Sequence, residues 1–275
     1  MIGRIGSKKS IAIIYCGSVE GVARHLESIL RISRPGANLL TMHGDYIHNI
    51  MLPYVSESID QALIFSHSLA TSCLLRAYQS LKLLGVDLLA VVSKPIGVER
   101  SLKFDEENII EIDEKVYRVA TTLASIKIGV EIGGRNIQRI KRMEQEVTLS
   151  SIVGDIIKKF REDADKVREC ELVAATHSML SVAEELGDIG YMYTTVDKLH
   201  KFITIARSVG IFYTTTEEHV VREAIINAKR LAMQKSFVEI KVNTDPFTAP
   251  LYGLVIASYI SLKNLRGEES TRLII

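Results

Sequence analysis

The chain has 275 residues, 47% of them hydrophobic and 24% charged, with 34 Lys and Arg against 33 Asp and Glu. That length supports one large domain or two smaller ones, each with its own core. A net charge of +1 gives no global electrostatic reason to expect nucleic acid or an anionic membrane as partner, and no apolar run reaches the roughly 18 residues of a membrane span. Cys16, Cys73 and Cys170 are odd in number, widely spaced and set in apolar stretches. They predict reduced, mostly buried thiols in a cytoplasmic protein, with neither a disulfide framework nor a zinc site. The segment MIGRIGSKKS has no apolar stretch of signal-peptide length.

In chain order, residues 11–15 form an apolar, β-branched run ending at Cys16-Gly17-Ser18. Residues 19–32 then put Val22, Leu26, Ile29 and Leu30 on one helical face. Strands are predicted at 37–42, 62–65 and 87–92, with a helix over 69–84 and breakers at Pro95 and Gly97. Residues 109–112 suit a last strand of this half. From Val116 to about Arg168 the pattern is helical, broken at Gly133-Gly134 and near Ser150. Strand and helix alternate again afterwards: strands at 171–175, 191–194, 210–214 and 237–242, and helices at 178–186, 217–233 and 246–265. Alternation of this kind implies parallel sheets covered by helices. The expected architecture is α/β, with two three-layer α/β/α domains at 1–114 and 169–275 and a helical linker region at 115–168; a single doubly wound domain is the alternative.

The most informative stretch is LIFSHSLATSCLL, residues 63–75. An apolar strand there ends in Ser66-His67-Ser68, and a helix begins after Thr71-Ser72. A helix N-terminus offers unpaired N–H groups and the positive end of the dipole, and hydroxyls add neutral donors. The pattern suits a phosphate at the carboxyl end of a parallel strand. The plainer alternative is that Ser68, Thr71 and Ser72 only cap the helix.

The same residues resemble the phosphosugar loop of the SIS (sugar isomerase) domain family, Ser-x-Ser-Gly-x-Thr, with Leu69 in place of the glycine. A Gly-x-x-apolar segment follows at Gly85-Val86-Asp87-Leu88. Cys16-Gly17-Ser18 is similar to the Cys-Gly-Thr-Ser turn of glucosamine-synthase-type members. The C-terminal half is similar to the second SIS domain of archaeal bifunctional phosphoglucose/phosphomannose isomerases, in Val173-Ala174-Ala175-Thr176-His177-Ser178-Met179 and in the closing segment 246–267. The resemblance implies two SIS domains, a sugar phosphate as ligand and a homodimer whose closing helix contributes to the interface; no cofactor is expected, and the lack of His-x-x-x-His or Cys-x-x-Cys spacing predicts no metal.

Isomerisation between aldose and ketose needs a base at C1/C2, a cation for the enediolate and an acid/base for ring opening. The resemblance implies phosphate contacts from Gly17, Ser18, Ser66, His67, Ser68 and Thr71. It implies Arg118 as the cation, although Tyr117 replaces the family's proline before it. Ungapped, the base position falls on Ile189; a slip of one residue makes it Asp188, with Glu185 next and Glu184 beside it. His200 matches the ring-opening histidine, with His67 as an alternative, and Arg272 is the one late cation where the family has a lysine. Glu20 stands where a serine is usual, and a carboxylate there either points away or signals another ligand. Two functional readings therefore stand: a phosphosugar isomerase, or a sugar-phosphate sensor without catalysis. A nucleotide-binding α/β protein ranks below both, since neither Gly-x-Gly-x-x-Gly nor a Walker loop is present.

Overall fold

A computed structural model describes residues 8–55, 58–68, 71–94, 104–133, 138–146, 152–232 and 235–272. The chain divides into two compact units, Met1–Gln145 and Glu146–Ile275. That division falls inside the 115–168 segment set apart above as a linker region.

The first unit holds a five-stranded parallel sheet of β1 (Ser10–Cys16), β2 (Asn38–His43), β3 (Gln61–Ser66), β4 (Asp87–Lys94) and β5 (Ile109–Asp113), in the order β2-β1-β3-β4-β5. Every residue of β3 is buried, because helices cover both faces of the sheet. On one face, Ile11, Ile13, Leu63, Phe65, Leu89 and Val91 meet α1 (Glu20–Ser33) and α3 (Tyr117–Gly133). On the other, Ala12, Ile14, Ala62, Ile64 and Ala90 meet α2 (Ser72–Leu83) and a short helical stretch from Gly44 to Val55. That stretch, with a π-helical turn at Ile47–Met51, has no counterpart among the sequence expectations. α4 (Gln138–Glu146) follows.

The second unit repeats the plan with four parallel strands: β6 (Leu172–Ala175), β7 (Met192–Thr195), β8 (Ser208–Thr214) and β9 (Ser236–Val242), ordered β7-β6-β8-β9. α5 (Ile152–Val167), α6 (Leu180–Asp188) and α8 (Ala249–Arg272) pack together, and α7 (Glu218–Leu231) lies with Leu172, Val209 and Ile211 in a separate core cluster. Gly210 lets β8 approach Val167 of α5, whose methyls would lie 3.0–3.1 Å from an added Cβ. α8 begins at Ala249 and not at Pro246. The Asp245 carboxylate takes the Phe247 N–H (3.0 Å) and the Asp245 carbonyl takes the Thr248 N–H (2.9 Å), which makes a turn before the helix. The two sheets make an α/β fold of two three-layer α/β/α domains, as expected. The breakers Pro95, Gly97, Gly134 and Ser150 lie outside the described residues.

One expectation is overturned. Cys16 and Cys73 form a disulfide, with Cα atoms 5.8 Å apart and a sequence separation of 57. Their closeness is a product of tertiary pairing. Cys16 ends β1 opposite Ser66 of β3, and Cys73 lies in the first turn of the helix that follows β3. Cys170 alone is a free, buried thiol, and burial pushes it up to about 11. No helix among the described residues is long and apolar enough to cross a membrane.

Candidate functional site

The carboxyl ends of β1, β3 and β4 converge in the first unit. β1 turns through Gly17, at φ +83°, a left-handed conformation that favours glycine. Ser18 follows, and α1 starts at Glu20. β3 ends at Ser66, register partner of Cys16, and the chain reaches α2 through His67, Ser68 and Thr71. The hydroxyls of this second turn bond to one another and to the backbone. Ser66 Oγ donates to the Ser68 carbonyl (2.8 Å) and lies 3.2 Å from Thr71 Oγ1. Thr71 Oγ1 also accepts the Leu74 N–H at 3.4 Å, so Thr71 is the N-cap of α2. Thr71 Oγ1 also donates to the Ser68 carbonyl (3.4 Å), so the same hydroxyl closes the turn and caps the helix. Leu69, the departure from the family glycine, lies outside the described residues.

α3 brings a cation to the first turn. Arg118 is 1% exposed. Its Nη2 donates to the Ser18 carbonyl at 2.6 Å and to Ser18 Oγ at 3.2 Å. Next to it, Tyr117 donates its hydroxyl to the Val91 carbonyl of β4 (2.9 Å), and its ring meets the His67 ring edge-on at 5.5 Å. Burial raises the Tyr117 phenol well above its usual range, which keeps it a neutral donor. Arg118 and Tyr117 therefore tie the Gly17–Ser18 turn, the Ser66–Thr71 turn and β4 into one constellation. Glu20 does not oppose an anion there: its carboxylate is turned along α1 to Arg24 (3.1 Å).

The remaining sequence candidates belong to the second unit. Glu185 of α6 is half-buried and Asp188 at its end is exposed, whereas Glu184 is the buried acid of that helix. His200 is exposed, with Nδ1 3.1 Å from the Asp197 carbonyl. It lines an open pocket of about 420 Å³ together with Asp197, Glu223 and Asn227. Arg272 lies at the end of α8.

Sequence reasoning missed the centre of the second unit's strand ends. β6 and β8 hold the places that β1 and β3 hold in the first sheet. The turns after them are Thr176-His177-Ser178 and Thr214-Thr215-Thr216-Glu217. Glu217 Oε2 accepts the hydroxyls of Thr176 (2.7 Å), Ser178 (2.6 Å) and Thr214 (2.8 Å). A side-chain carboxylate thus takes up the donors that an anionic ligand would use. The sequence signal, Thr-x-x-Glu, is that of a capping box, and that box is formed. The reach of Glu217 to Thr176 and Ser178, 41 and 39 residues away, carries no local signal.

Among the described residues, His43, Asp45 and Cys73 offer possible metal-ligand atoms within 4.8 Å of one another. Two of the three are committed: Cys73 to the disulfide, and Asp45 to Arg76 at 2.5 Å, whose guanidinium holds the Asp45 carboxyl below its usual range.

Comparison of the whole chain with solved structures finds the same architecture. Glucosamine-6-phosphate deaminase from Thermotoga maritima superposes with a TM-score of 0.60 at 13% identity, over 94% of this chain and 86% of that one. The chain has the SIS-type double α/β/α fold. Two further SIS-type structures agree. The C-terminal domain of glucosamine-fructose-6-phosphate aminotransferase from Francisella tularensis gives 0.58 at 12% identity, over 94% and 86% of the two chains. Tagatose-6-phosphate ketose/aldose isomerase from Escherichia coli gives 0.57 at 9%, over 95% and 84%. No protein-family model and no curated protein matches the chain. At these identities the SIS-type likeness is one of fold.

Proposed function

We propose that the first unit binds the phosphate of a sugar phosphate, and that the protein is an aldose–ketose phosphosugar isomerase of the glucose or mannose 6-phosphate to fructose 6-phosphate type. The observation that carries this reading is the pairing of two turns at adjacent strand ends: Gly17–Ser18 held by the buried Arg118, and the hydroxyl-lined Ser66–Thr71 turn at the start of α2. Hydroxyls and the N–H groups of a helix N-terminus suit the oxygens of an anion such as phosphate. In the second unit, Glu217 already takes up the equivalent hydroxyls, which favours one phosphate site per chain, in the first unit. On this reading Arg118 faces the enediolate, a carboxylate among Glu184, Glu185 and Asp188 is the base, and His200 or His67 opens the ring. The protein works in the cytoplasm as a homodimer; a monomer by light scattering at micromolar concentration would remove the dimer from the proposal.

Calorimetry tests the cradle. Fructose 6-phosphate should bind the wild type, and Ser68→Ala with Thr71→Ala should weaken binding by about tenfold or more, the value of a hydrogen bond to a charged ligand. Unchanged affinity rejects the assignment. Two observations favour a sensor without catalysis: Asp188 and His200 are exposed, and the Arg118 guanidinium is engaged with Ser18. Proton exchange decides between the two. An isomerase exchanges a C1 hydrogen of bound fructose 6-phosphate with D₂O; a protein that binds the sugar and shows no exchange over hours is the sensor.

A further inference from the structure

The disulfide joins the two turns of the cradle at their roots. Cys16 is the residue before Gly17, and Cys73 lies two residues after Thr71. The Asp45 N–H donates to His43 Nδ1 (3.3 Å), which leaves the ring proton on Nε2, 4.0 Å from Cys73 Sγ. Cys73 also sits in the first turn of α2. A histidine N–H and a helix N-terminus both stabilise a thiolate at that sulfur. Gly44 passes so close that a Cβ would lie 2.6 Å from each sulfur, so any larger residue at that position collides with the pair. Both residues are buried, and Cys73, at 8% exposed against 0% for Cys16, is the less enclosed of the two.

We infer that Cys16 and Cys73 form a reversible redox switch that sets the affinity of the cradle for the phosphate of its ligand. The inference rests on the cradle reading above. The Cys73 thiolate attacks a small disulfide such as glutathione disulfide, forming a mixed disulfide and expelling one small thiolate. The Cys16 thiol then loses its proton to solvent and attacks the Cys73 sulfur, forming the Cys16–Cys73 bond and expelling the second small thiolate. The protein loses two hydrogens and the small disulfide gains them. Reduction reverses both steps. Once the bond is broken, the sulfurs need the separation of a nonbonded pair, about 3.5–4 Å, where the bond allows about 2 Å. Gly44 closes one side of the pair, so the end of β1 and the start of α2 move apart. The first carries Gly17 and Ser18 and the second carries Thr71, so the donors of the cradle are pulled out of register with a single phosphate.

The test compares the wild type oxidised with glutathione disulfide and reduced with dithiothreitol. Intact mass should differ by two hydrogens between the two forms. Calorimetry should show fructose 6-phosphate binding about tenfold or more tighter to the oxidised form, the loss expected when one hydrogen bond to a charged ligand is misplaced. Cys16→Ser in dithiothreitol should bind as the reduced wild type does, and with glutathione disulfide it should stop at the mixed disulfide on Cys73, read by intact mass as one added glutathione. Cys170→Ser, a change at the free thiol of the second unit, should keep the full response. Equal affinity in the two forms overturns the switch and leaves the cradle standing, and so does an oxidised sample whose mass does not change. If neither form binds, the cradle reading falls and the switch with it.

Discussion

Arg118 shows how one side chain couples fold and site. A fully buried guanidinium carries a desolvation cost that only well-placed acceptors offset, and the Ser18 carbonyl and hydroxyl supply two of them. Arg118→Ala should cost about 2–4 kcal/mol in urea unfolding, since it leaves a void and strands the Ser18 acceptors. It should also weaken fructose 6-phosphate binding. Arg118→Lys keeps the charge but not the planar fork, so it should fall between the two on both measurements; a wild-type stability for Arg118→Ala would rule out this anchoring role. At this scale the sequence named Gly17, Ser18, Ser66, Ser68, Thr71 and Arg118, because a resemblance attached roles to them. It did not reveal that Glu20 pairs with Arg24, nor that Glu217 gathers hydroxyls from three separate positions. Each depends on where a side chain turns in space.

At the scale of elements, periodicity reads well where a helix or strand is regular. All nine strands and the principal helices of the described residues fall within a few residues of their expected positions, because their buried faces repeat at the spacing of their backbones. The stretch from Gly44 to Val55 escapes for the same reason. Its π-helical turn at Ile47–Met51 separates the buried Ile47 and Leu52 by five residues, a spacing that fits no regular helix. The pairing of α1 with α3 depends on a small residue. A Cβ on Gly129 would lie 2.3 Å from Ile29 Cγ2 and 3.1 Å from Ser33 Oγ, and a β-branched side chain in a helix has little freedom to swing away. Replacing a helical glycine by alanine ordinarily stabilises by up to about 1 kcal/mol. Gly129→Ala should do the opposite, with overpacking costing about 1–3 kcal/mol, and pairing it with Ile29→Ala should recover part of the loss. A rise in Tm for the single variant would contradict this packing.

At the scale of the molecule, the disulfide closes a loop of 57 residues within the first unit. Constraining an unfolded loop of that length is worth about 4 kcal/mol, so reduction should lower the stability of the first unit selectively. Hydrogen exchange with and without dithiothreitol should show protection falling across 8–145 and unchanged across 152–272; equal loss in both would mean that the bridge does not act locally. The sequence by itself determined the α/β class, the two alternating halves and the hydroxyl turn before a helix. Those features are written in local composition and periodicity, and a parallel sheet covered on both faces follows from them. Tertiary structure alone decided that Cys16 meets Cys73, that Arg118 reaches back 100 residues to Ser18, and that Glu217 takes up the hydroxyls of the second unit's strand ends. These contacts join residues far apart in the chain. The first and last exist because parallel pairing sets the ends of β1 and β3, and of β6 and β8, side by side, the Arg118 contact because α3 packs on α1, and no local pattern records which elements become neighbours.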